Sequence, residues 1–228
     1  MATLTYHGHA TCSITTNDGT RLVIDPFFAD NPTTDLTVED VQADFVLVTH
    51  GHYDHIADAA ELAKRTGALV ISTVEVVEFL GTKGVDSVHG MNIGGSYDFP
   101  FGTVKMVNAI HGGSVQLEGG APYTTPCAGF VVHVDGCRLY HAGDTALTLD
   151  MQLLRGKVDV AMLPIGDNFT MGPEDAATAV EFIEPSTVIP IHYNTWPVIA
   201  QDPESFRERV GDRSEVRVLA PGDETSLG

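Results

Sequence analysis

Thr49-His50-Gly51-His52-Tyr53-Asp54-His55 follows the apolar run Phe45-Val46-Leu47-Val48 without a break. The run reads as a strand buried on both faces. Just past a strand, alternation lets His50 and His52 point to one side while the turn brings Asp54 and His55 round. Imidazole and carboxylate are ligands that borderline cations such as Zn²⁺ accept, and no cysteine is needed. In a chain with ten histidines, a chance H-x-H-x-D-H has an expectation on the order of 10⁻³. That count disfavours a plain solvated loop in which Asp54 and His55 only cap a helix.

A pair of cations needs more ligands than one loop supplies, and other strand ends offer them. His111 follows the β-type run Val104–Ile110, Asp144 sits in His141-Ala142-Gly143-Asp144-Thr145, and His192 follows Val188-Ile189-Pro190-Ile191. One such histidine is more often a satisfied core or surface residue. Three polar residues at strand ends, joining a strong motif, reverse that expectation.

Around these points the chain alternates short strands with helices. Strands are predicted at Leu4–Tyr6, Cys12–Thr16 and Leu22–Ile24, with Asn17-Asp18-Gly19 as a hairpin turn. A helix over Asp58–Arg65 stops at Gly67, a strand covers Ala68–Ser72, and a helix covers Val74–Leu80. Strands at Ser96–Phe99 and Thr103–Ile110 lead to His111, and Gly112–Pro126 reads as a long loop. The second half repeats the plan. Strands Ala128–Val134 and Arg138–His141 flank Asp135-Gly136; then come a helix over Leu147–Leu154, strand Val158–Leu163 and helix Pro173–Ile183. Strand Thr187–Ile191, helix Pro203–Val210 and a last strand Val216–Leu219 finish it. No linker or composition shift divides the halves, so residues 1–228 read as one domain of two packed sheets with helices outside.

Composition narrows the functions. Of 228 residues 43% are apolar, enough for a sizeable core, and the formal charge is −19. No apolar stretch is long enough for a membrane span, and the N-terminus has no secretory pattern. So acidic a surface repels phosphate backbones, which disfavours nucleic acid as a partner. Three cysteines without a C-x-x-C pair suggest a reducing, cytoplasmic setting. The expected partner is a small-molecule substrate, and a homo-oligomer is compatible with the composition. No G-x-S-x-G is present, so a serine nucleophile has no elbow.

The ligand order, H-x-H-x-D-H followed by a lone His, a lone Asp and a lone His, resembles that of the metallo-β-lactamase superfamily. Longer segments extend the likeness: Tyr6-His7-Gly8-His9, Leu22-Val23-Ile24-Asp25-Pro26-Phe27, Tyr140–Thr145, Pro164–Pro173 and Ile191-His192-Tyr193-Asn194-Thr195. Together they resemble small bacterial and archaeal metal-dependent hydrolases that neighbour the ascorbate-phosphate lactonases. The resemblance covers essentially the whole chain and implies an α/β fold, the four-layer αββα sandwich. It implies that His50, His52 and His111 hold a first divalent ion, that Asp54, His55 and His192 hold a second, and that Asp144 bridges them. Zinc is the first choice of metal, with manganese, nickel or iron as the others. The Lys or Arg with which true β-lactamases hold a drug carboxylate has no clear counterpart here, which lowers that reading.

Two cations a few ångströms apart can generate hydroxide, polarise an electrophilic oxygen and stabilise a leaving group. Binding zinc lowers the pKa of water from about 15.7 to about 7, equivalent to ~12 kcal/mol. No side-chain base matches that, so the expected nucleophile is a bridging hydroxide oriented by Asp54. His9 is expected to contact substrate or leaving group, while His7 and His141 are candidate outer partners and Asp25 could receive an imidazole N–H. Tyr53, Asn168, Asn194 and Trp196 are the expected substrate contacts, in loops that also carry Phe169, Met171 and Tyr193. The reading is a metal-dependent hydrolase of an ester-type bond (lactone, ester or phosphodiester). The alternative is a mononuclear iron thiol or persulfide oxidoreductase, whose relatives keep the same motif; a non-catalytic binding module is third, because all seven ligand types are present. The acidity itself speaks of habitat and solubility.

Overall fold

Hydrophobic alternation in the strands decides how the layers stack. In a computed structural model, which describes residues 1–117 and 119–228, the first sheet forms from β1 (Thr3–Gly8), β2 (Thr11–Thr15), β3 (Arg21–Ile24), β4 (Phe45–Leu47), β5 (Leu69–Thr73) and β6 (Val88–Met91). The second uses β7 (Ser96–Phe99) and β8 (Gly102–Asn108). A separate hairpin, β9 (Ser114–Gln116) and β10 (Pro122–Thr124), comes next. The second sheet then resumes with β11 (Ala128–Val134), β12 (Cys137–His141), β13 (Val160–Pro164), β14 (Thr187–Ile191) and β15 (Glu215–Val216). A last strand, β16 (Glu224–Ser226), returns to the first sheet beside β1. The orders are β16-β1-β2-β3-β4-β5-β6 and β15-β14-β13-β12-β11-β8-β7.

Leu22 and Ile24 of β3 face the central core while Val23 faces outward; on β13, Val160 and Met162 face inward and Ala161 and Leu163 outward. The inward set, with Leu4, Ile14, Phe130 and Ile189, fuses the sheets into one dry interior. Outward residues of the first sheet pack on α2 (Ala59–Thr66) and α3 (Val74–Thr82), reached through the single turn α1 (Tyr53–Ile56). Those of the second sheet pack on α4 (Pro173–Ile183) and α5 (Pro203–Val210). Four layers, αββα, result, and no helix among the described residues is long and apolar enough to cross a membrane.

The repeated plan has a side-chain signature. Arg21 opens β3 and forks onto Asp44 with Nε and Nη2 at 3.1 Å each; Arg138 in β12 forks onto Asp159 at 2.9 and 2.7 Å. In each half the aspartate also accepts the arginine's backbone N–H at 2.8 Å. A bidentate pair of this kind fixes the register where an antiparallel hairpin hands over to a parallel strand.

Four expectations change. Leu147–Leu154 is not an α-helix: a 3₁₀ run covers Leu149–Leu154, with Met151 and Leu154 buried one 3₁₀ turn apart and Leu149 and Leu153 exposed. The loop Gly112–Pro126, whose position 118 lies outside the described residues, contains the β9–β10 hairpin. The strand expected over Val216–Leu219 is only Glu215–Val216, and β16 follows it. Edge strands β6 and β16 went unseen because Val88-His89-Gly90-Met91 and Glu224-Thr225-Ser226 lack the apolar alternation of a half-buried strand.

Candidate metal centre

The ends of β1, β3, β4, β12 and β14 meet along one edge of the sandwich, and sharp turns there aim side chains inward. His9, Asp25 and His192, each just past a strand, have φ of 54°, 48° and 54°. The left-handed region costs a non-glycine residue roughly 1 kcal/mol or more, a strain that clusters at functional sites. The turns tie the halves together: the His192 N–H donates to the His9 carbonyl at 2.7 Å. His141 Nε2 donates to the Ala10 carbonyl at 2.9 Å and its Nδ1 accepts the Gly143 N–H at 3.2 Å, so its ring braces the turn next to Asp144.

Beyond β4 the motif splits. His50 and His52 stay in the extended segment, and α1 then starts at Tyr53 and swings Asp54 and His55 back toward them. Gly51 is required between the histidines. A Cβ there would lie 2.5 Å from Val115 Cγ1 and 3.1 Å from the Ser114 carbonyl, since the β9–β10 hairpin rests on it. Gly51→Ala is therefore expected to lower stability by about 1–3 kcal/mol, read by urea denaturation, through forced displacement of the hairpin.

Potential ligand atoms fall into overlapping groups, each spanning no more than 4.8 Å: His50, His52 and His111; His9, Asp54, His55 and His192; and His50, His55 and Asp144. Asp144 lies between the sets, with a carboxylate oxygen 3.1 Å from His192 Nε2, 3.3 Å from His55 Nε2, 3.5 Å from His111 Nε2 and 4.0 Å from His50 Nε2. His50 Nε2, His55 Nε2, His192 Nε2 and Asp144 Oδ1 are buried without a well-formed hydrogen bond among the described residues. Leaving so many buried polar atoms unmatched is costly unless a ligand completes them. Converging lone pairs of imidazole and carboxylate fit a divalent cation.

The electrostatics agree with this. Burial, then the neighbouring His55, hold His50 well below the usual histidine range, which keeps its ring neutral. Burial opposes ionisation of Asp144, yet His192 and His55 carry its carboxyl well below the usual range. Burial likewise works against protonated His192, but Asp144 lifts it to about 9. The carboxylates draw positive charge into a buried place; a cation would take over from imidazole protons, releasing them on binding.

Around this core, one carboxylate organises the rest. Asp25, fully buried, accepts the Thr49 N–H, the Thr49 hydroxyl and the His55 Nδ1–H, all at 2.7 Å. Thr49 and Thr195 escaped the sequence reading; nothing in their spacing marks them, beyond Thr49 adjoining His50. His9 is placed otherwise than expected. Its ring is buried behind Asp54, with Nε2 donating to Asp54 Oδ2 at 3.0 Å and Nδ1 accepting from the Thr195 hydroxyl at 2.8 Å.

A cavity of about 200 Å³ over the centre is lined by His52, Asp54, His111, Asp144, Phe169, His192 and Trp196. Of the four expected substrate contacts only Trp196 lines it. Tyr53 is exposed and its hydroxyl bonds Asp30, Asn168 sits in an exposed turn, and Asn194 Oδ1 accepts from the Gln201 N–H at 2.8 Å. Phe169 joins the wall in their stead.

Comparison with known proteins places this architecture among relatives. A profile described as the beta-lactamase superfamily domain matches residues 3–192. A UPF0173 metal-dependent hydrolase of Geobacillus sp. (strain WCH70) is 50% identical over 227 residues, covering 98% of this chain and 99% of the relative. One from Shouchella clausii (strain KSM-K16) is 48% identical over 228 residues, covering 98% and 99%. Among solved structures, Igni18, described as a metallo hydrolase from the hyperthermophilic archaeon Ignicoccus hospitalis, superposes with a TM-score of 0.87 at 36% identity, covering 98% of this chain and 97% of that one.

Proposed function

Because the chain belongs to the beta-lactamase superfamily and is a metal-dependent hydrolase within it, we propose that it works with two divalent cations, zinc first, on an ester-type bond: lactone, ester or phosphodiester. The carrying observation is the position of Asp144, whose carboxylate approaches both donor groups, within 3.5 Å of His111 on one side and 3.1 Å of His192 on the other. His50, His52 and His111 would hold one ion, Asp54, His55 and His192 the other, and Asp144 both. When bound, such a pair supplies a hydroxide nucleophile near neutral pH and polarises the electrophilic oxygen.

The chain's own residues do the rest. Thr195 fixes the His9 ring, and His9 in turn holds Asp54 Oδ2, which fixes the carboxylate plane. Asp54 Oδ1 accepts no hydrogen bond among the described residues and can accept one from the nucleophile, which orients it. His9 is thus a positioning residue, and Asp54 touches the reacting atoms. Trp196 and Phe169 narrow the chamber and keep bulk water from the reacting bond. The three cysteines are free and buried, which supports a reducing, cytoplasmic setting.

Protein of measured metal content, offered lactone, carboxylic ester and phosphodiester substrates, tests the reading. Turnover by zinc-loaded protein, lost on chelation and restored by zinc, is expected. Turnover by demonstrably metal-free protein, or thiol oxidation with one iron per chain and no hydrolysis, would overturn it.

A further inference from the structure

The chamber over the metal centre holds about 200 Å³, below the roughly 300–1,000 Å³ of most small-molecule sites. Five of the seven described residues that line it are candidate metal ligands, and the other two are Phe169 and Trp196. Beyond the ligand set, recognition therefore falls to two aromatic rings. Trp196 is the fixed wall. Its ring lies 5.0 Å from that of His9, inclined at 65°, and 6.2 Å from that of Phe27. Its carbonyl accepts the Ile199 N–H at 3.0 Å, and the Ile199 carbonyl accepts the Asn194 N–H at 2.9 Å, which closes the loop that carries it. Phe169 is the wall that can give. The turn before it bends through Asp167 and Asn168, consecutive residues with φ of 60° and 48°. Strained backbone of this kind clusters at ligand clamps. The turn is pinned at its base, where the Met171 carbonyl accepts the Asp167 N–H and the Thr145 carbonyl accepts the Met171 N–H, both at 3.0 Å and beside Asp144. Met171 is fully buried, whereas Phe169 lines the chamber with 52% of its surface exposed. An apolar ring left half in water over a chamber gains burial when an apolar group enters beneath it.

We propose that Phe169 and Trp196 clamp a flat aromatic ring, and that the substrate is a small, uncharged carboxylic ester whose acyl carbonyl bears that ring directly. The proposal rests on the ester-hydrolase reading above and narrows it. In a chamber of about 200 Å³ a ring within reach of both walls lies next to the reacting carbonyl, with little room for a spacer. Aromatic faces and edges attract one another beyond the area they bury, an advantage that an aliphatic group of similar volume lacks. Neither wall carries a charge to answer one on the ring. Water adds its oxygen to the acyl carbon and the ester C–O bond breaks. One proton goes to the departing alkoxide and the other to solvent, leaving an aromatic carboxylate and an alcohol.

Product acids bind without turnover, so calorimetry on zinc-loaded protein with acetate, cyclohexanecarboxylate and benzoate reads the clamp directly. Benzoate is expected to bind at least about 10-fold tighter than acetate, a fraction of what burying a ring could give. It should also bind about 3-fold tighter than cyclohexanecarboxylate, the scale of an aromatic pair. Trp196 is the chain's one tryptophan, so a change in its emission on adding benzoate locates the ring at this wall. Phe169→Ala, at a half-exposed position that does not threaten folding, should cut the benzoate advantage over acetate at least about 3-fold with zinc stoichiometry unchanged. Equal affinity for benzoate and cyclohexanecarboxylate, silent Trp196 emission, or a benzoate advantage that Phe169→Ala leaves intact overturns the clamp. Hydrolysis of diphenyl phosphate but not of methyl benzoate overturns the substrate class. If the binding order and its loss in Phe169→Ala hold but loaded protein cleaves no ester of any kind, the ester-hydrolase reading fails and the clamp stands.

Discussion

Asp144→Ala is expected to lose both metal ions and all measurable hydrolysis while keeping its fold. The carboxylate lies within 4.0 Å of four imidazole nitrogens contributed by three strand ends and α1. Without it no donor spans the two groups, and His55 and His192 face each other as bases with nothing between them. Removing an outer partner of a metal ligand typically costs 10–100-fold in affinity, so loss of a shared ligand should exceed about 10²-fold for the pair. Asp144 is buried, yet it sits outside the hydrophobic clusters, so circular dichroism and the denaturation midpoint should stay near those of metal-free wild type. Elemental analysis after dialysis gives the decisive number. Two full equivalents of metal retained by the variant would end the bridging assignment. Asp144→Asn, equal in volume, separates charge from shape: it should retain more metal than the alanine variant and still fall well short of wild type.

How much of this was legible beforehand follows from where each signal lives. H-x-H-x-D-H is local, and a buried run ahead of it puts it at a strand end, so the motif could be read directly. The hairpin at Asp135-Gly136 was legible for the same reason: both residues adopt positive φ, 48° and 84°, as a type I′ turn demands. The Arg21–Asp44 and Arg138–Asp159 forks were not, because partners 23 and 21 positions apart carry no periodicity. The left-handed turns at His9, Asp25 and His192 were invisible too: His and Asp enter that region more readily than most residues, but only tertiary contacts decide which of them do so. His9 shows the limit most clearly. A histidine two residues from another, past a strand, suggested a side chain facing substrate. Only the packing of Thr195 against one ring nitrogen and Asp54 against the other shows it facing a carboxylate instead. Asn194 turns its side-chain oxygen to the Gln201 N–H, a local turn contact that its place in a polar loop does not reveal.

Asp25→Asn is expected to weaken metal binding by about 100-fold, at the upper end for an outer partner, because it reverses two imidazole tautomers at once. In the wild type the Thr49 N–H donates to Asp25 Oδ1, while the Thr49 hydroxyl and His55 Nδ1–H both donate to Oδ2. The hydroxyl proton is thereby spent, so the 3.0 Å contact between Thr49 Oγ1 and His50 Nδ1 requires His50 to carry its proton on Nδ1. Both histidines then present a bare Nε2 lone pair toward Asp144, as a metal ligand must. An asparagine must keep its oxygen toward the Thr49 N–H, which can only donate, and this puts its NH₂ where Oδ2 was. That NH₂ donates to His55 Nδ1 and to the Thr49 hydroxyl, and the hydroxyl then donates to His50 Nδ1. Each ring moves its proton to Nε2, and two ligand lone pairs are lost with almost no change in shape. Titration of chelated protein with zinc, alongside NMR of the imidazole ¹⁵N shifts, separates this from mere loosening. The tautomer account predicts Nε2–H signatures on both rings and a denaturation midpoint close to wild type. Asp25→Ala should instead leave the buried Thr49 N–H unpaired and cost about 1–3 kcal/mol of stability. Unchanged zinc affinity in Asp25→Asn would show that the ions set the tautomers themselves, and that this buried carboxylate serves only to hold the strand ends together.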